Sequence, residues 1–130
     1  MATILVADDS ADLRDLAVAQ LRKRGYATLA AKNGLEAVEM AKSSKPGLIL
    51  MDLNMPECDG WEAMAQLKQD EELKEIPIIA LTAYSLPGDK IRAIKAGCEA
   101  FHAKPPDTES LFADIERFVR RDDDSAFPTS

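Results

Sequence analysis

Thr3-Ile4-Leu5-Val6-Ala7-Asp8-Asp9-Ser10 opens the chain with an apolar run that stops abruptly at two acids and a hydroxyl. An unbroken run of this kind, without in-out alternation, belongs to a strand covered on both faces. Ser10 then offers a helix N-cap. Leu13, Leu16, Ala17 and Leu21 recur at helical spacing, and Gly25 is a C-terminal stop. Strand, acids and helix in succession form the start of a βαβ unit, with a helix expected over residues 10–24.

The same reading repeats along the chain. Leu48-Ile49-Leu50-Met51 ends at Asp52, Ile78-Ile79-Ala80-Leu81 at Thr82, and the run over residues 100–103 at Lys104. Parallel strands end on one edge of the sheet, and in open α/β sheets that edge is where ligands bind. Asp8, Asp9, Asp52, Thr82 and Lys104 are therefore expected to meet at one spot. Carboxylates gathered with one lysine and one threonine suit a divalent cation and a phosphoryl group.

Between these runs lie helical patterns. A weaker strand is expected over residues 26–31, and Asn33 starts a second helix with Glu36 as its capping-box partner. Pro46-Gly47 breaks the chain before the third strand. Asp59 caps a third helix with Glu62, after the loop over residues 53–58, and Pro77 opens the fourth strand. Pro87-Gly88 begins a fourth helix whose apolar face carries Ile91 and Ile94, and Gly97 ends it. Asp107 caps the last helix, with Leu111, Ile115 and Phe118 on one face and Phe112 and Val119 beside them. Five βα units predict an α/β fold, a five-stranded parallel sheet in the order 2-1-3-4-5 with helices on both faces. Residues 1–121 are expected to form the domain, and residues 122–130 an acidic, polar tail with too little apolar surface to order itself.

With 130 residues the chain has the size of one domain. Its net charge of -7 excludes a phosphate backbone or an anionic membrane as the direct partner, since both demand a basic face. No apolar run approaches the roughly 20 residues that span a bilayer. A strand beginning at Thr3 leaves no signal peptide to expect. Cys58 and Cys98, the two cysteines, lack metal-type spacing and read as free thiols of a reduced, cytoplasmic chain.

Several of these pieces have a familiar order. Val6-Ala7-Asp8-Asp9-Ser10, Leu50-Met51-Asp52-Leu53-Asn54-Met55-Pro56 with Asp59-Gly60, Ala80-Leu81-Thr82-Ala83, Gly97-Cys98-Glu99-Ala100-Phe101 and Lys104-Pro105 follow one another at the predicted strand ends. In this the chain resembles the receiver domain of two-component response regulators, the CheY-like family, over about residues 3–119. Among lone receivers, the stretch over residues 48–104 is similar to the DivK-like group.

The resemblance implies a role for each residue. Asp52 would accept the phosphoryl group as a carboxylate nucleophile. Asp9 would bind Mg²⁺ directly, together with Asp52 and the backbone carbonyl of Asn54, and Asp8 would act through water. Lys104 would pair with Asp52 and then with the phosphoryl group. Thr82 would contact a phosphoryl oxygen, with the Ala83 N–H beside it. Phe101 takes the place of the family's aromatic switch. Asn54 and Tyr84 stand where phosphoryl lifetime is tuned. The Lys104-Pro105 peptide bond would be cis. The phosphodonor would be a sensor histidine kinase or a histidine phosphotransfer protein, so His102, the single histidine, has no catalytic part. Trp61 is expected to be partial core, near enough to report metal or phosphoryl binding.

The resemblance thus implies a stand-alone, non-enzymatic switch that assists only its own phosphorylation and dephosphorylation. Two alternatives share the general architecture. An aspartate-nucleophile phosphohydrolase needs a second acid two residues after the nucleophile to protonate the leaving group, and that place holds Asn54. A flavin carrier needs a first loop rich in Gly, Ser and Thr to cradle a phosphate; this one reads Asp8-Asp9-Ser10-Ala11-Asp12 and repels anions.

Overall fold

The computed structural model describes residues 2–55, 60–83, 87–104 and 106–120. The elements alternate throughout: β1 (Thr3–Ala7), α1 (Ala11–Lys23), β2 (Ala27–Ala31), α2 (Gly34–Ser44), β3 (Leu48–Asp52), α3 (Gly60–Gln69), β4 (Ile78–Thr82), α4 (Asp89–Ala96), β5 (Ala100–Ala103) and α5 (Thr108–Phe118). All neighbouring strands are parallel, in the order β2-β1-β3-β4-β5. The chain steps outward from β1 to β2, then crosses back over β1 to β3. The ends of β1 and β3 therefore flank the point where strand order reverses, which opens a crevice at the C-terminal edge.

The apolar runs are unbroken because both faces of the sheet are covered. Ile4, Val6, Leu48 and Leu50 pack on one side with Leu21 of α1 and Leu111, Phe112 and Ile115 of α5. Leu5, Ala7, Ile49 and Met51 pack on the other side with Ala37 and Ala41 of α2 and Met64 and Leu67 of α3. Caps follow the sequence pattern. The side chains of Ser10, Asn33 and Asp107 accept the backbone N–H of Leu13, Glu36 and Ser110. Glu36 Oε1 in return takes the N–H of Lys32 at 2.9 Å, one residue before the cap. Gly25 and Gly97 leave their helices with φ of 94° and 119°, the left-handed region that glycine enters without a Cβ clash. The expected Asp59 cap, Cys58, Tyr84, the Lys104-Pro105 bond and the tail lie outside the described residues.

Two of the apolar helix faces read from spacing turn partly outward. Leu13 and Leu16 of α1 and Ile91 and Ile94 of α4 are between 47% and 61% exposed rather than core. Helical spacing says which residues share a face, not which face turns inward. In α4 the buried residue is Ala93, about 160° around the helix from Ile91 and about 100° from Ile94. In α1, Leu13 and Leu16 overhang a cavity of about 440 Å³ between α1 and the start of α5, floored by Val6, Leu50 and Leu81.

Helix α3 begins hard against the end of β3. A Cβ on Gly60 would stand 2.1 Å from the carbonyl oxygen of Asp52 and 2.6 Å from Cα of Leu53, both backbone atoms. Neither atom can move away without dragging the strand end that carries Asp52. Gly60→Ala is expected to destabilise the fold by about 1–3 kcal/mol, read as a lower denaturation midpoint at unchanged m-value.

Candidate functional site

Each expected residue reaches the C-terminal edge through its own strand. Asp8 follows β1, where its backbone N–H still bonds Ala31 O of β2 at 3.1 Å. Asp52 ends β3 and Thr82 ends β4. Lys104 follows β5, and its N–H bonds Thr82 O at 2.8 Å, so the ladder itself sets where the lysine stem begins. Asp8, Asp52 and Thr82 are buried and Asp9 is exposed.

The lysine is the centre of the cluster. Its Nζ donates to Asp52 Oδ2 at 3.0 Å, as expected, and also to Asp8 Oδ2 at 2.6 Å. The other Asp8 oxygen, Oδ1, accepts the Ser10 N–H at 2.9 Å, and the Asp8 carbonyl accepts from Arg14 Nη1 at 2.8 Å. The second Asp52 oxygen takes the Asn54 N–H at 3.0 Å. The Asn54 carboxamide donates to the Thr82 hydroxyl. Lys104's second partner, the Arg14 bond and the Asn54–Thr82 bond are absent from the sequence reading. Each joins residues through side-chain directions that no spacing rule supplies.

Carboxylate oxygens of Asp8, Asp9 and Asp52 all lie within 4.8 Å of one another. Two buried acids and one exposed acid form a hard-oxygen donor set open on one side, which fits a small divalent cation that keeps part of its water shell.

Around this cluster the remaining expected residues take distinct places. Phe101 is half-buried against the cluster that includes α2, α3 and Ala93. Ala83 is exposed beside Thr82. Trp61, half-buried on the same side as Phe101, lies under the Arg92 guanidinium at 4.0 Å and so joins α3 to α4. Cys98 is a free, buried thiol, which burial pushes up to about 11, far from reactivity at neutral pH.

Comparison with known proteins gives the family and the fold. The model of the response regulator receiver domain matches residues 4–116. The polar-differentiation response regulator DivK of Brucella anthropi is 42% identical over 95 residues, 73% of this chain and 77% of that protein. Among solved structures, the chemotaxis protein CheY4 of Vibrio cholerae is similar with a TM-score of 0.84 at 29% identity, over 92% of this chain and 99% of that one. The receiver domain of the sensor histidine kinase PA1611 of Pseudomonas aeruginosa PAO1 was solved with a magnesium ion coordinated in its active-site cleft. It is similar with a TM-score of 0.82 at 32% identity, over 90% of this chain and 96% of that one.

Burial holds the Asp52 carboxyl above the ordinary 3.8. The Asn54 N–H and Lys104 pull it down and the Asp8 charge pushes it up, but burial prevails. Burial alone would lower Lys104, yet its bonds to Asp8 and Asp52 outweigh that and raise it above 10.5. Both raised values carry the same linkage sign, in different pH windows. A raised Asp52 means the native state binds its proton more tightly, so stability falls as pH rises from 3.8 through the folded value. A raised Lys104 contributes stability that is complete below 10.5 and lost as pH climbs through its folded value.

Asp52→Asn is accordingly expected to raise Tm at pH 7, with the gain closing once pH falls below 3.8. Lys104→Met leaves two buried acids without their cation and is expected to lose about 3–5 kcal/mol at pH 7. Acid should recover part of that loss. Urea melts of both variants across pH check the two signs together.

Proposed function

The chain belongs to the response regulator receiver domain family, and on that premise we propose that it works as a lone switch set by a phosphoryl group on Asp52. The observation that carries this reading is the Lys104 ammonium shared between the buried Asp8 and Asp52 carboxylates at the reversal point of the sheet. In this reading residues 1–121 are the receiver and residues 122–130 a tail. The protein works in the cytoplasm, although the structural fact is narrower: no described helix is long and apolar enough to cross a membrane.

The donor is a phosphohistidine of a sensor histidine kinase or a histidine phosphotransfer protein. Asp52 Oδ attacks phosphorus, the P–N bond breaks, and the electron pair leaves on the donor imidazole, which takes up a proton. Asp52 is left as an acyl phosphate. The Asn54 N–H and Lys104 hold the carboxylate in place. Lys104 then has a phosphoryl oxygen to pair with in place of the neutralised carboxylate oxygen. Asp9, Asp52 and the Asn54 carbonyl would hold Mg²⁺, with Asp8 reaching it through water. When bound, the ion supplies positive charge against the developing phosphoryl oxygens. No general acid is needed for a donor imidazole, which accords with an amide at residue 54 and with a switch rather than an enzyme.

Phosphorylation adds about −1.5 to −2 charges at Asp52. The Thr82 hydroxyl has reason to leave Asn54 for a phosphoryl oxygen, and Phe101 turns into the space behind it. Asn54 and Tyr84 then set how readily water reaches the acyl phosphate. The output is a protein partner on the face of α4, β5 and α5. Moving a population from 1:99 to 99:1 takes about 5.5 kcal/mol. One charge-assisted hydrogen bond contributes about 1.5–3 kcal/mol, so the phosphoryl group shifts part of the population and partner binding completes the shift.

Incubation with acetyl phosphate and Mg²⁺ is expected to add one phosphoryl group that hydroxylamine removes. Asp52→Asn should take up none, and equal uptake by that variant would falsify the assignment. Thr82→Ala and Phe101→Ala should still accept phosphate. Both should lose most of a phosphorylation-dependent gain in partner affinity, which is expected at about 5–150-fold.

A further inference from the structure

His102 and Asp114 are polar intrusions at two positions where the pattern calls for apolar residues. Register pairs Phe101 with Ala80 and His102 with Leu81. Adjacent strand residues point to opposite faces, so Phe101 meets the cluster on the α2–α3 side while His102 turns toward α5. Asp114 lies three residues after Leu111 and one before Ile115, on the stripe by which α5 packs on the sheet. The two side chains meet there. His102 Nε2 lies 2.7 Å from Asp114 Oδ2, and the side chains are only 13% and 30% exposed. Each polar group answers the other's burial.

A polar pair does what an apolar contact cannot. Leu111, Phe112 and Ile115 hold α5 to the sheet through contacts that are non-directional. A half-buried hydrogen bond fixes distance and angle, and therefore the register of α5 against β5. We infer that the His102–Asp114 pair is a positioning strut that makes α5 follow β5, carrying the change at Phe101, one residue away on the same strand, through the sheet to the opposite face. This rests on the switch reading above and adds its route: Phe101 acts on α4's side, and His102 passes the same strand shift to α5.

Hydrogen–deuterium exchange on the full chain, with Mg²⁺ and with or without beryllofluoride, tests the strut. In the parent, beryllofluoride is expected to change exchange in residues 100–103 and also in residues 108–118. In His102→Ala and Asp114→Ala the change over residues 100–103 should persist, while that over residues 108–118 falls roughly threefold or more, as for a coupled contact pair. Asp114→Asn keeps an acceptor and should retain the α5 response. A merely structural role would raise exchange equally in both states and leave the difference intact. Should either alanine variant fail to fold, the double substitution His102→Leu with Asp114→Leu restores an apolar contact without direction, and it should fold yet lose the α5 response. An undiminished α5 response in the folded variants overturns the strut and leaves the switch standing. No response over residues 100–103 in the parent removes the switch reading, and the strut with it.

Discussion

The Lys104 ammonium lies 2.6 Å from one buried carboxylate and 3.0 Å from another, and the arrangement of the whole C-terminal edge depends on that sharing. Two acids drawn out of water beside each other repel, and burial penalises each charge further. One cation between them offsets both effects, but only if strands β1, β3 and β5 deliver their ends to one place. The order β2-β1-β3-β4-β5 does this. It sets Asp8 and Asp52 on adjacent strands and puts Lys104 one strand beyond Thr82, within reach of its stem. In the proposed switch, Lys104 is the group that changes partners when Asp52 is phosphorylated.

Asp8 and Asp52, the buried acids around the lysine, are each held by several donors. Both carboxylate oxygens and the carbonyl of Asp8 have donors, and both oxygens of Asp52 have donors. Gly60 presses the first turn of α3 against the end of β3. Thr82 is buried and accepts from the exposed Asn54 side chain, and Phe101 is half-buried.

Much of this was legible beforehand because it is local. Unbroken apolar runs meant strands covered on both faces. Ser10, Asn33 and Asp107 marked helix starts because their short side chains reach an N–H three residues on. Gly25 and Gly97 marked helix ends because a left-handed residue is needed there. Parallel strands share a C-terminal edge, so Asp8, Asp52, Thr82 and Lys104 had to gather. The strand order followed from the number of βα units and the handedness of their crossovers.

What the tertiary structure alone decided is which groups touch. Lys104 found Asp8 across 96 residues of sequence, and Asn54 found Thr82 across 28. His102 met Asp114 because β5 turns alternate residues to opposite faces and α5 lies over only one of them. Leu13, Leu16, Ile91 and Ile94 kept their helical spacing yet stayed outside the core, since a period of 3.6 names a shared face and not its direction. Hydrogen bonding along the backbone and hydrophobic burial act on every residue of a given type, so a pattern records them. A side-chain contact depends on the tilt and offset of whole elements, and those are set only when all the elements pack at once.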